Sequence, residues 1–388
     1  MTKNFSQRIY LTSLTIFAML FGAGNLMFPL RVGIEAGSQT IWGLAGFILT
    51  GVLLPLLGLL AIVAFNGDYR EFFGRVGKIP GFLLVLYCMM VVGPFVVMPR
   101  IVALSYEMLQ PFLPEMSVLF FATIFLSLVF LATYRPGKLL DIIGKVLSPL
   151  KVTSLFIIII WGLVTGNAAV PSYEPVLKLF YQGAMYGYHT LDLLGAIFFG
   201  SIVVALLTSY AQPGEKTSIH NAVKVAAVSG IFAALLLAAM YAGMSFLAAF
   251  HGHGLGHLNE GQIFSAISFR ILGQYGAALI GLTVFLACFT TTVSLSAVVG
   301  DYVRVELFDS KITYPMALVI VLGICAFIAR HGLSAILHFS VPFILASYPV
   351  FIVITICNIL YKLWGFKYIK IPVALTVIIL IWRSIYAI

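Results

Sequence analysis

An all-helical protein lying within a membrane is predicted by three observations: too little charge, apolar runs of spanning length, and basic residues gathered on alternate connections. Of 388 residues, 62% are hydrophobic and 9% are Asp, Glu, Lys or Arg, and the mean hydropathy is +1.10. Soluble domains carry about 45–50% apolar and about 25% charged residues. With 22 basic and 13 acidic side chains, the chain cannot coat a water-soluble globule, which excludes a soluble enzyme. At ~20 apolar residues per crossing and connections of about 10–15, its length accommodates roughly eleven spans.

The runs free of Asp, Glu, Lys and Arg bear this out in order. They are 11–30, 38–67, 79–99, 116–134 and 152–170, then 190–214 with Asp192 as its one acid, 225–250, 271–300, 312–329, 332–361 and 371–382. None shows the polar/apolar alternation of an outer-membrane barrel strand, so eleven transmembrane helices are predicted. The first run follows Lys3 and Arg8 as a signal peptide would. It is long, has no Ala-x-Ala site and continues into Gly24-Asn25-Leu26-Met27-Phe28-Pro29, so it reads as span 1.

A cytoplasmic N-terminus places sixteen basic residues inside: Lys3, Arg8, Arg70, Arg75, Lys78, Arg135, Lys138, Lys145, Lys151, Lys216, Lys224, Arg304, Lys311, Lys362, Lys367 and Lys370. Four fall outside, Arg31, Lys178, Arg330 and Arg383, while Arg100 and Arg270 lie near or within spans 3 and 8. Positive loops resist translocation, so this asymmetry sets the orientation and accounts for the net charge of +9 without a nucleic-acid partner. Cys88, Cys288, Cys325 and Cys357 sit singly inside apolar runs and read as buried thiols, not as a disulfide framework or zinc site. No connection exceeds about twenty residues. Residues 1–388 are thus expected to form one membrane domain surrounded by lipid, with its C-terminus outside and no obligatory protein partner.

Candidate functional residues are those that break the rules of a lipid-facing helix, because non-helical backbone at membrane depth survives only where it lines a cavity or is buried by protein. In span 1, Gly22-Ala23-Gly24-Asn25 lies midway along an apolar run. Either the helix unwinds there or the small residues form a packing face. Unwinding would offer free N–H groups at one half-helix end and free carbonyls at the other, a match for a zwitterionic amino acid without charged side chains. Span 6 holds Phe198-Phe199-Gly200-Ser201 at mid-span, where Gly200 permits a second break and the phenylalanines an apolar pocket. The alternative is a packed aromatic pair. His189 and Asp192 are expected near the outer end of span 6, for helix entry, gating or proton transfer. Span 6 lies five spans after span 1, the spacing expected of two inverted five-helix repeats.

Span 8 contains Cys288-Phe289-Thr290-Thr291-Thr292-Val293-Ser294-Leu295-Ser296. Its hydroxyls can bond the carbonyls one turn back, or the Cys288 carbonyl with Thr291 and Thr292 can face a hard cation such as Na⁺. His251, His253 and His257 occupy an outer glycine-rich loop that reads as solvated, with metal binding the alternative. Lys151, inside span 5, either snorkels to the interface or takes up a proton in place of a coupling ion.

The motif Phe21-Gly22-Ala23-Gly24-Asn25-Leu26-Met27-Phe28-Pro29 with Gly33 resembles span 1 of the bacterial branched-chain amino acid:cation symporters. Further matches run in order along the chain: Gly93-Pro94, Pro99-Arg100 and Ser105-Tyr106-Glu107; Gly137-Lys138-Leu139-Leu140-Asp141 with Gly144-Lys145; Gly187-Tyr188 with Thr190-Leu191-Asp192; Leu286-Ala287-Cys288; Ser340-Val341-Pro342 and Tyr348-Pro349. The resemblance implies a leucine-transporter-like fold of the APC superfamily, with inverted repeats at about 9–170 and 183–362 and an extra C-terminal helix at about 368–388. It implies Na⁺-coupled uptake of leucine, isoleucine and valine across the cell (inner) membrane. By carry-over, Na⁺ meets the Ala18 and Phe21 carbonyls with Cys288, Thr291 and Thr292. Ala23, Gly24 and Asn25 meet the substrate carboxylate, Phe198, Phe199 and Ser201 border the amine and side chain, and Gly22 and Gly200 belong to the same substrate site. Members of that family usually have twelve helices, one more than the eleven expected here.

A proton-coupled transporter of the same fold, with H⁺ carried by Lys151, is the alternative. An intramembrane enzyme would need a catalytic set at depth, and the spans offer only isolated Asp192, His189 and His338. A channel would need a filter-like run, and none is present.

Overall fold

The computed structural model describes residues 5–134, 148–166, 168–209 and 219–386. Among them there are helices and no strands. The first half contains α1 (Phe5–Leu20), α2 (Ala23–Ala36), α3 (Thr40–Ile48), α4 (Leu54–Val63), the short α5 (Tyr69–Gly74), α6 (Lys78–Met90), α7 (Val97–Leu109), α8 (Val118–Thr133) and α9 (Ser148–Val164). The second half contains α10 (Val176–Tyr188), α11 (Asp192–Ser209), α12 (Ile219–His251), α13 (Glu260–Tyr302), α14 (Tyr314–Ala329), α15 (Leu333–Trp364) and α16 (Lys370–Tyr386). Each apolar run of the sequence falls mainly within one of these helices or within a broken pair.

By length and composition, five segments among the described residues can cross a bilayer alone: Gly24–Val63, Lys78–Phe112, Val223–His251, Gly261–Leu307 and Ser347–Trp364. Two bent pairs qualify only together, α10 with α11 at 42° and α14 with the start of α15 at 109°. The difference from eleven has a structural cause. Gly24–Val63 fuses the end of span 1 to span 2, breaks divide other runs, and Val118–Thr133, Val152–Val164 and Lys370–Trp382 are shorter apolar helices.

Proline and glycine account for several interruptions. Pro94 cannot donate to the ladder, and at Gly93 the backbone leaves the helix (φ −86°, ψ −126°), so span 3 becomes α6 and α7 joined by a wide turn. Gly273 adopts φ +63° inside α13, a left-handed geometry that favours glycine, and it separates an entry segment from the apolar run beginning at 271. That entry segment opens with a capping box between Asn259 and Gln262.

Close helix packing also depends on glycine. A Cβ at Gly183 would lie 1.8 Å from the Gly43 carbonyl oxygen, and one at Gly46 would lie 2.0 Å from that of Phe180. Gly183 and Gly187 form a G-x-x-x-G pair that lets α10 lie directly on α3, where Thr50 donates to the Ala184 carbonyl (2.6 Å). Likewise α2 lies on α12 through Gly33, whose Cβ would meet the Ser245 carbonyl oxygen at 1.9 Å. At the end carrying the basic loops, Asp68 caps α5 by accepting from the amides of Arg70 (2.8 Å) and Glu71 (3.0 Å). Arg70 pairs with Glu306 beyond α13, and Arg75 donates to Asn358 of α15 (2.7 Å).

Gly183→Leu, which must force α10 off α3, is expected to destabilise the protein by about 1–3 kcal/mol or more. Gly323→Leu, where nothing lies within 4 Å of the added Cβ, should stay within about 0.5 kcal/mol of the parent. Thermal unfolding in detergent checks both; equal melting temperatures would refute the contact.

Candidate functional site: two broken helices around a buried cavity

Span 1 breaks where its sequence allows it. α1 ends at Leu20, Gly22 is extended (φ −112°, ψ −159°), and α2 starts at Ala23. The Leu20 carbonyl, left without a partner in its own helix, accepts from the Gly22 amide (2.9 Å) and from the Asn25 side chain. Asn25 thus reaches back across the break to cap the preceding half-helix. The first amides of α2, at Ala23, Gly24 and Asn25, have no acceptor within their own helix.

Span 6 breaks at His189-Thr190-Leu191, between α10 and α11, and not at Gly200. Leu191 carries the turn with φ +63°, a costly geometry for a branched side chain that persists where its surroundings impose it. Those surroundings come from distant elements. The Arg100 guanidinium of α7 donates to the carbonyls of His189 (2.9 Å) and Thr190 (3.1 Å). The Thr190 hydroxyl donates to the Gly187 carbonyl (2.8 Å) and accepts weakly from the Asp192 amide (3.4 Å). The Leu193 amide donates to the Tyr348 hydroxyl of α15 (3.2 Å). His189 therefore opens the break, and Asp192 follows it as the first residue of α11. Gly200 lies inside the continuous α11, where a Cβ would sit 2.1 Å from Ile62; the glycine permits packing on α4, not unwinding.

The breaks meet at a small cavity lined by residues of α1, α2, α7, α11, α13 and the intervening turns, with room for about two water molecules (≈ 30 Å³). Gly22, Gly24, Asn25, Thr190, Asp192, Phe199 and Thr291 line it, and so does Arg100. Phe198 instead stacks towards Tyr69 and Phe73. Ser201 bonds the Phe198 carbonyl (2.7 Å) and lies against Gly67. Of the four aromatic-motif positions, only Phe199 reaches the cavity. Two charged residues, Arg100 and Asp192, belong to that lining. Arg100 had a sequence signal, since an ionisable group within an apolar run marks a functional position by default. Leu191 had none.

α13 brings its hydroxyls to the same place. Thr291 Oγ1 lies 3.5 Å from the Phe21 carbonyl oxygen, and a Cβ at Gly22 would be 3.1 Å from Thr291 Cγ2. Thr292 donates to the Cys288 carbonyl one turn back (2.8 Å). Ala18 is buried in α1, one turn before the break. These are hard oxygen groups of the kind Na⁺ takes.

The histidine loop is held by arginines: Arg31 donates to the carbonyls of Gly256 and Leu258 (2.9 Å each), and Arg270 to those of His251 (2.8 Å) and His253 (2.7 Å). Among the described residues no three His, Cys, Asp or Glu side chains are grouped as metal ligands. Lys151 belongs to α9, but its side chain lies outside the described residues, as does the Gly137–Lys145 motif.

Residues 5–388 match the family described as branched-chain amino acid transport protein. The branched-chain amino acid permease BrnQ of Bacillus subtilis (strain 168) is 33% identical over 369 residues, covering 92% of this chain and 82% of the relative. The branched-chain amino acid transport system 2 carrier protein of Pseudomonas aeruginosa is 30% identical over 362 residues, covering 90% and 79%. Among solved structures, MhsT in complex with L-phenylalanine matches with a TM-score of 0.61 at 17% identity over 96% of this chain and 98% of the other. Mhp1 in a closed conformation with bromovinylhydantoin bound matches with a TM-score of 0.65 at 12% identity over 97% and 92%. Those two show the fold, that of the leucine-transporter-like transporters. A family match over nearly the whole chain, joined to two helices broken side by side, makes this protein a member of the branched-chain amino acid transport protein family, and not an enzyme.

Proposed function

We propose that this protein carries leucine, isoleucine and valine into the cell by Na⁺ symport, through alternating access around the cavity between the two breaks. The observation that carries the reading is the cavity itself: interrupted backbone from spans 1 and 6 meets there, beside the hydroxyls of α13. The carbonyls of Ala18, Phe21 and Cys288 and the hydroxyls of Thr291 and Thr292 would hold Na⁺. The amides of Ala23, Gly24 and Asn25 would face the substrate carboxylate, with Phe199 against the aliphatic side chain. Space for two waters is too small for a leucine side chain, so substrate entry requires the halves of the bundle to move apart, as rocking of one bundle against the other would provide. Eleven crossings in two inverted repeats plus a final helix, a cytoplasmic N-terminus and residence in the cell's inner membrane complete the proposal.

Proton coupling has one observation in its favour: Asp192 Oδ2 is buried at the break without a hydrogen-bond partner. Leucine uptake into proteoliposomes under a Na⁺ gradient at equal pH separates the readings. Accumulation is expected there and not under a pH gradient without Na⁺; equal uptake in both would transfer coupling to H⁺ at Asp192 or Lys151. Thr291→Ala should raise the Na⁺ concentration for half-maximal uptake by about tenfold, and an unchanged Na⁺ dependence would remove α13 from the ion site. At Gly24 a Cβ already lies 3.2 Å from Arg100 Nη2 and Thr190 Cα. Gly24→Leu should therefore abolish leucine binding in detergent, and retained affinity would make this glycine a packing residue only.

A further inference from the structure

Three side chains from separate elements line the cavity, two of them fully buried and Asp192 half-buried, and each has a buried polar atom without a hydrogen-bond partner. Arg100 is 1% exposed. Its two terminal nitrogens serve the His189 and Thr190 carbonyls, while its Nε–H has no acceptor. Asn25 is 0% exposed; its nitrogen caps Leu20, and its Oδ1 accepts from no donor. Asp192 keeps Oδ2 buried and unpaired. A buried polar atom without a partner carries the full cost of its desolvation, and three around one cavity point to a ligand that completes them. They are one donor on a cation and two acceptors, one of them on an anion.

We propose that Arg100 and Asp192 form a charge clamp for the zwitterion: the Arg100 Nε–H receives the substrate carboxylate, and Asp192 Oδ2 with Asn25 Oδ1 receives its ammonium. The clamp deepens the transport reading above and rests on it. Charge balance supports the assignment. Arg100 and Asp192 already balance each other's charge at the cavity, and a zwitterion aligned between them engages both while leaving that balance unchanged. Arg100 also holds the α10 end of the break, so the residue that shapes span 6 senses whether a carboxylate is present.

The clamp makes both ends of the substrate obligatory, whatever its side chain. In detergent-solubilised wild-type protein, leucinamide, which lacks the carboxylate, and 4-methylpentanoate, which lacks the amine, should each compete with radiolabelled leucine about 100-fold or more weakly than leucine itself. Arg100→Gln should lose far more affinity for leucine than for leucinamide, so the preference for leucine over leucinamide collapses. Asp192→Asn should instead collapse the preference for leucine over 4-methylpentanoate. A variant that is merely misshapen would weaken leucine and both analogues together. If neither variant folds, the wild-type competition series decides alone, since either analogue binding as well as leucine overturns the clamp. If Asp192→Asn keeps the wild-type ranking but loses Na⁺ dependence, the clamp is overturned and the acceptors belong to the coupling ion. If wild-type protein binds no leucine at all, the transport reading fails before the clamp is tested.

Discussion

The buried guanidinium of Arg100 against the carbonyls of His189 and Thr190 is the contact on which the site depends. Backbone polar groups cannot turn to water inside hydrocarbon, and an unpaired one costs several kcal/mol. A break in span 6 strands carbonyls at the end of α10 and amides at the start of α11. The carbonyls are taken by Arg100 from α7, and the amides by Thr190 and by Tyr348 from α15. Span 1 solves the same problem locally, with Asn25 reaching back to Leu20. The span 1 break is capped by its own sequence neighbour Asn25, with Thr291 approaching the Phe21 carbonyl, and the other is held by residues some ninety and one hundred and fifty positions away.

Packing around the breaks follows from that arrangement. α10 seats on α3 through the Gly183 and Gly43 contact, and α11 seats on α4, where Gly58 admits Leu193 and Gly200 admits Ile62. The half-helices are thereby gripped along their length by close packing, while the carbonyls of His189 and Thr190 at the junction are held by the Arg100 side chain. Side-chain hydrogen bonds can exchange partners without unwinding a helix, so the junction is the natural place for a ligand to be exchanged for an internal contact. The scarcity of charge sharpens this. In a chain with 9% charged residues, a guanidinium and a carboxylate on one cavity wall dominate its electrostatics.

The two breaks were unequally legible. Gly22-Ala23-Gly24-Asn25 announces span 1's, because glycine at the N-cap and asparagine beyond it are the residues that such a turn needs. His189-Thr190-Leu191 announces nothing, since leucine has no local preference for positive φ, and Gly200 looked the better breaker. Glycine signals either conformational freedom or close approach, and a single sequence does not distinguish them; Ile62 against Gly200 does. Phe198 and Phe199 are adjacent in sequence, yet about 100° apart around α11, so one faces Tyr69 and Phe73 and the other the cavity.

Composition and run length alone determined that this chain is helical and belongs in a membrane, because burial in lipid is a bulk property read from hydropathy and needs no knowledge of neighbours. The break in span 1 was likewise a local matter of glycine and asparagine. The place of the second break, the entry of Arg100 and Asp192 into the cavity and the exclusion of Phe198, Gly200 and Ser201 from it were decided by packing. Each depends on which distant side chain can reach a stranded backbone group, and such contacts exist only once the helices lie side by side.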